Sequence, residues 1–324
     1  MSIELALEWL RGPLLGIEGV IDIVSSFIFQ FKGVQVRELA RESDLSCINC
    51  ITCLSDGWAV GDEAGNIGVY DQQCEQLLRT YHHPSPVRTI AAFGAGNGFV
   101  FNQTLGMVYR QNEETEGFCS RDGNQVFKLV TFSDGLVVSC SKITTSVHVY
   151  ITWRQPSLKF YFMHSMTGKH RAADIMQCGG LLASVHQTMI SGPKTEVWLW
   201  DVRRGLHLYT FPLTCSYICD AISLTDDTMV FIDTSFRVHM CNATKGYEAG
   251  KAAYNMCAVP DGWFLTTRLH NDNFYMLSSD IQSEVIVPNK NQAAIPDCHM
   301  SRILYVPSGH VVVCQENRKL VVWK

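Results

Sequence analysis

The chain has 324 residues, 47% of them apolar and 18% charged, so it can bury a large core. Its formal net charge of -5 argues against a chain-wide electrostatic grip on nucleic acid and leaves room only for a local patch. Thirteen cysteines, an odd number, and a first apolar stretch broken by Glu4 and Glu8 do not read as a secretory leader with a paired disulfide framework. Free thiols in an intracellular compartment, nuclear or cytoplasmic, are expected.

In chain order, Ile3, Leu7, Leu10 and Leu14 have helical spacing, and Gly12-Pro13 would end such a helix early. The stretch Ile3 to Phe31 carries Glu4, Glu8, Arg11, Glu18 and Asp22, so no run reaches the roughly 20 uncharged residues of a membrane helix. Residues 1–31 are expected to form an extension that caps the rest of the chain or presents a partner-binding helix.

From there a turn followed by an apolar run recurs seven times. The turns are Ser55-Asp56-Gly57, Asn97-Gly98, Asp134-Gly135, Gly179-Gly180, Asp226-Asp227, Asp261-Gly262 and Ser308-Gly309, at intervals of 35 to 47 residues. That period fits four-stranded propeller blades better than helical repeats of about 34 residues. Each repeat continues through a second turn into a third run near an aromatic, such as Ile67-Gly68-Val69-Tyr70-Asp71 and Val197-Trp198-Leu199-Trp200-Asp201. An exposed fourth strand follows, clearest in Gly205–Phe211. The last repeat stops at Lys324 after its third strand. Closure then requires a strand from the N-terminal side, either Val34–Leu39 within 33–42 or Val20–Val24. The predicted fold is all-β: a seven-bladed β-propeller over 32–324 whose last blade is closed by an N-terminal strand.

Trp200-Asp201 ending a strand, Tyr70-Asp71 after Asp62-Glu63-Ala64-Gly65-Asn66, and His82-His83 before Pro84-Ser85-Pro86-Val87 resemble WD40 repeats. The resemblance implies a blade network joining a His before the first strand, an Asp in the second turn, a Ser or Thr, and a Trp. No repeat shows the whole set. The length and the scarcity of Gly-His are similar to small seven-bladed mitotic-checkpoint and messenger-RNA-export propellers. The resemblance implies a non-catalytic scaffold.

Candidate chemistry is sparse. Cys47-Ile48-Asn49-Cys50-Ile51-Thr52-Cys53 contains a C-x-x-C, but strand alternation would separate Cys47 and Cys53 from Cys50, which favours core thiols over zinc. No nucleophile elbow, P-loop or zincin motif occurs, and no catalytic residue, cofactor or metal is expected. Arg203-Arg204-Gly205 is similar to the double arginine of phosphoinositide-binding propellers, although its place after Trp-Asp reads as a solvated turn. Glu113-Glu114-Thr115-Glu116 reads as an acidic loop.

Lys142, Lys169, Arg171, Arg268 and Arg318 fall in second turns or inter-blade loops, which converge on one face of a propeller. They form a candidate peptide-binding face for an acidic segment. The expected function is a scaffold that holds short linear segments of partner proteins in a multiprotein complex, of nuclear chromosome-segregation or kinetochore type. Direct nucleic-acid binding and lipid binding are not expected. Two other readings stay open: a phosphoinositide-binding membrane-recruitment propeller, and a propeller enzyme with a central-channel site.

Overall fold

The computed structural model describes residues 35–39 and 47–324, apart from 94–96, 102–104, 111–112, 120–124, 133–135, 143–147, 155–158, 167–169, 189–193, 214, 216, 225–227, 243–245, 269–270, 280–283, 288–301 and 316–318. Among them the backbone is almost wholly extended. The first strand is β1 (Gln35–Glu38). Blade one is β2 (Ile48–Cys53), β3 (Gly57–Asp62), β4 (Asn66–Asp71) and β5 (Leu77–His82). Blade two is β6 (Thr89–Phe93), β7 (Asn97–Phe101), β8 (Leu105–Arg110) and β9 (Glu113–Cys119). Blade three is β10 (Gln125–Thr131), β11 (Leu136–Lys142), β12 (His148–Arg154) and β13 (Lys159–Met166). Blade four is β14 (His170–Cys178), β15 (Leu181–Thr188), β16 (Lys194–Asp201) and β17 (Leu206–Leu213). Blade five is β18 (Ile218–Ser223), β19 (Thr228–Asp233), β20 (Arg237–Asn242) and β21 (Gly246–Ala252). Blade six is β22 (Met256–Val259), β23 (Trp263–Arg268), β24 (Asn271–Ser278) and β25 (Glu284–Val287). The last blade takes β26 (Arg302–Tyr305), β27 (Val311–Gln315) and β28 (Lys319–Trp323) from the C-terminal end.

All pairings are antiparallel, and the described residues form seven four-stranded sheets. The seventh has the order β1-β28-β27-β26, so the chain's first described strand completes its last blade. Gln35 lies opposite Trp323 and Glu38 opposite Val321, and the Leu39 N–H donates to the Leu320 carbonyl at 2.7 Å. The closing strand therefore falls within 33–42. Val20–Val24 and the rest of 1–31 lie outside the described residues. Glu113–Glu116, read above as a loop, belongs to β9, the outermost strand of blade two. An outer strand tolerates such charge because one edge meets water.

The strand period of two explains the ring. Trp58 and Val60 of β3 join the apolar cluster shared with blade seven, whereas Ala59 joins the one shared with blade two. Val312 likewise faces blade one, while Val311 and Val313 face blade six. Successive side chains thus serve opposite neighbours, and blades one and seven are packed on both faces. Trp58 and Tyr70 stack at 4.4 Å inside one such interface. Each fully buried aliphatic or aromatic side chain contributes roughly 1.5–3 kcal/mol by leaving water. The seven inner strands β2, β6, β10, β14, β18, β22 and β26 touch in sequence, and β26 touches β2. They surround a central channel.

Candidate functional site

Because strands alternate in direction, second turns and inter-blade loops emerge on one face. Lys142 ends β11 opposite His148, Arg171 opens β14 opposite Gln187, and Arg268 ends β23 opposite Asn271, all at that face. Lys169 and Arg318 lie outside the described residues. Arg268 is committed to the fold. Its Nη2 is 2.9 Å from Glu284 Oε1, its Nε donates to the Ala252 carbonyl at 3.2 Å, and its guanidinium sits 3.9 Å from the Tyr275 ring centre. It ties β21 of blade five to blade six, and little of its charge is left for a ligand.

The same face opens on a channel cavity of about 560 Å³. Its wall includes Asn49, Lys128, Asp220 and Arg302 from four inner strands, with Phe236 and Tyr254 from loops of that face. Bulges aim several of these side chains. The register slips between Ile48 and Cys50 in β2, Val126 and Lys128 in β10, Ala172 and Asp174 in β14, and Ile218 and Asp220 in β18. An inserted residue turns its successor to a new direction. Lys128, Asp174 and Asp220 consequently form a polar arc over blades three to five.

Lys128 Nζ lies 3.2 Å from Asp174 Oδ1. Asp174 and Asp220 repeat one local device, each Oδ1 accepting the next residue's N–H, from Ile175 at 2.7 Å and from Ala221 at 2.9 Å. The second Asp220 oxygen accepts the Met256 N–H of blade six at 3.3 Å. Burial pushes the Asp220 carboxyl above the usual carboxylate range; Lys128 opposes the shift, Asp174 adds to it, and the two amide donors oppose it. Across the channel, Arg302 opens β26, is exposed, and has no carboxylate partner among the described residues.

The rim on blade five is strained. Phe236 sits at φ 61°, a left-handed conformation unusual for a bulky residue, and stacks on Tyr254 at 4.1 Å. Asp233 organises the turn: its Oδ1 accepts the N–H groups of Ser235 and Arg237 at 2.8 and 2.9 Å, and its Oδ2 is 2.8 Å from His239 Nε2. The Ala253 N–H to Phe236 carbonyl bond, 2.8 Å, links this turn to the loop bearing Tyr254. Sequence reasoning missed Asp220, Arg302 and this aromatic pair. The bulges break the alternation that would have pointed inward, and nothing local marks Arg302.

No protein-family model matches the sequence, and no curated protein does. Solved structures do. The β-propeller domain of Swd1 (Cps50) from Myceliophthora thermophila superposes with a TM-score of 0.67 at 10% identity, covering 89% of this chain and 98% of that one. The Pan2 WD40 domain of Neurospora crassa gives 0.68 at 9% identity, covering 89% and 94%. A chain of a mitotic checkpoint complex gives 0.65 at 14% identity, covering 91% and 92%.

The chain folds as a WD40-type β-propeller.

Blade four of this propeller holds a buried polar chain of Trp, Ser and His. Trp200 Nε1 donates to Ser184 Oγ at 2.8 Å, and Ser184 Oγ lies 2.7 Å from His186 Nε2. All three residues are buried. The His comes from β15, two residues beyond the Ser, instead of from the loop before the blade. In blade one, Asp62 holds the second turn, its Oδ1 accepting the Asn66 N–H at 2.6 Å. Gly65 has φ 91° there, and a side chain would run into the His83 carbonyl.

The cysteine triplet does not converge. Cys50 faces Val87 and Ile90 of blade two, Cys53 Sγ donates to the Tyr305 carbonyl of blade seven at 3.2 Å, and Cys47 is exposed. Burial pushes the Cys50 and Cys53 thiols up to about 12 and about 11, so they stay protonated at neutral pH. Arg203 and Arg204 lie in the turn between β16 and β17, at the face opposite the channel cavity's opening. Arg203 Nη1 donates to the Gly180 carbonyl at 2.8 Å and its guanidinium is 5.3 Å from the Phe132 ring centre, whereas Arg204 is exposed.

Proposed function

We propose that this propeller is a non-catalytic scaffold that captures acidic linear segments of partner proteins on the face bearing the second turns and inter-blade loops. The observation that carries this reading is the channel cavity opening on that face with Arg302 in its wall and no carboxylate among the described residues to pair with it. A carboxylate side chain of a bound segment would complete the pair, and a charge-assisted hydrogen bond to Arg is directional as well as strong. Arg171 at the head of blade four, with Lys169 two residues before it in the sequence, would steer the segment toward the opening. A closed ring suits the task, since it fixes the relative positions of the inner strands that line the cavity before binding. The assembly we assign it to is nuclear and of chromosome-segregation type; the likeness to a propeller in a mitotic checkpoint complex supports that choice.

Affinity purification of the tagged full chain, followed by mass spectrometry, tests the proposal. A partner with acidic segments is expected to copurify. Its recovery is expected to fall roughly tenfold on Arg302→Glu, and likewise on Lys169→Glu with Arg171→Glu, as for loss of an interfacial charge pair. Arg302 is exposed, so the folded fraction of its variant stays at the wild-type level. Recovery of the chain alone, or a partner indifferent to all three reversals, would refute it.

A further inference from the structure

Five large apolar residues of the described chain are exposed, and three of them, Leu206, Leu208 and Tyr209, lie on β17, at 51%, 40% and 58%. This strand is the outer edge of blade four, with no strand hydrogen-bonded beyond it among the described residues. Natural proteins guard such edges with charge. Six of the seven outer strands here comply: β1 carries Arg37 and Glu38, β5 Arg79, β9 three glutamates, β13 Lys159, β21 Glu248 and Lys251, and β25 Glu284. β17, with the sequence Leu-His-Leu-Tyr-Thr-Phe-Pro-Leu, has no Asp, Glu, Lys or Arg.

Its one histidine is exposed, with Nε2 2.9 Å from the Tyr209 carbonyl, and its ring packs against the tryptophans of β16. The His207 ring lies 5.0 Å from Trp198 and 4.9 Å from Trp200. A bulge at Leu208 does not set the strand apart, because β5, β9 and β13 bulge at the matching place. Pro212 lacks an N–H and limits the usable edge to Leu206–Phe211.

We infer that β17 is an edge to which an extended apolar segment of another protein, flanked by acidic residues, adds as a fifth strand of blade four. Strand addition supplies affinity through main-chain hydrogen bonds and specificity through alternate side chains. The charge around the edge selects the occupant. Arg204, with 77% of its side chain exposed and its Nε 3.5 Å from Asp201 Oδ2, stands at the start of β17. Exposed Lys194 stands at the other end, beside Thr195, which pairs with Leu213. Acidic flanks meet both cations. A second copy of this chain, docked antiparallel through its own β17, would bring Lys194 of one protomer against Arg204 of the other, and like charges there disfavour it.

The site lies on the outer rim and is independent of the channel, so it can be tested apart from the proposed function. A displayed random-peptide library is selected on the immobilised full chain, with the Leu208→Lys/Tyr209→Lys double variant as counter-target. Both positions are exposed, so this variant keeps the wild-type melting temperature. The expected winners alternate apolar residues and carry Asp or Glu on both flanks. Synthesised, they bind the wild type and lose at least roughly tenfold affinity, about 1.4 kcal/mol, on the double variant and on Arg204→Glu with Lys194→Glu. Arg302→Glu leaves their binding unchanged. Winners without that pattern, winners indifferent to the lysine substitutions, or a chain that sediments as a dimer through β17 would overturn the inference. Flotation with phosphoinositide-containing vesicles that is lost on Arg204→Glu but survives Tyr209→Lys would reassign Arg204 to lipid and overturn it too.

Discussion

Asp220 carries an opposition between burial and charge. Burial raises its carboxyl pKa, so the folded chain holds a proton that the unfolded chain has released between the ordinary Asp value and the raised one. The sign follows: this residue's contribution to stability is most favourable below the unfolded pKa and is lost as pH rises to the folded one. Asp220→Asn removes the titration and keeps an acceptor for the Ala221 N–H, although the contact with Met256 weakens. The melting temperature of the variant relative to wild type is therefore expected to climb as pH goes from about 4 toward neutrality. A difference that is flat with pH would show that Asp220 does not titrate in that window. Arg268 illustrates a different limit. Its residue type and its place at a second turn were legible in the sequence, but its engagement with Glu284, Ala252 and Tyr275 depends on groups far along the chain.

At the scale of the strand and the blade, apolar packing supplies most of the cohesion and a few polar links set geometry. Blade four tests the second part. Trp200→Phe removes the indole donor to Ser184 and leaves a small void beside Val202 and Leu182, which belong to the same cluster. The expected cost is about 2 kcal/mol, read as a lower denaturant midpoint with an unchanged m-value. A much smaller loss would mean that the Ser184–His186 contact holds the blade without the Trp. The strands themselves were legible from turn residues and alternating runs, and β17 was found within a residue or two. The bulges were not. A bulge is one extra residue against a partner strand, and it becomes visible only when the partner's register is known.

At the scale of the whole molecule the ring is held shut by β1, four residues that pair with the end of the chain. Removing residues 1–38 uncovers the edge of β28 and the buried surface under Leu39. The truncated chain is expected to melt at a lower temperature and to aggregate during unfolding, as an unguarded apolar edge does. A peptide spanning 33–42 added in excess is expected to raise the melting temperature again by mass action. A truncated chain as stable as the full one would mean that another segment closes blade seven.

The sequence by itself determined that the molecule is a β-propeller with repeating four-stranded units, because turn chemistry and a period of two are local properties of neighbouring residues. It also determined that Cys50 and Cys53 turn to opposite sides of one strand, since alternation separates them. The tertiary structure alone decided which side chains meet. It brought Lys128, Asp174 and Asp220 into one arc, set Arg302 across the channel, and joined His186 to Ser184 and Trp200 in blade four. It also left β17 as the one outer strand without charge on an open edge. These are juxtapositions between blades or exposures at a sheet edge. They depend on closure of the ring and on register shifts, and neither has a signature within any one stretch of the chain.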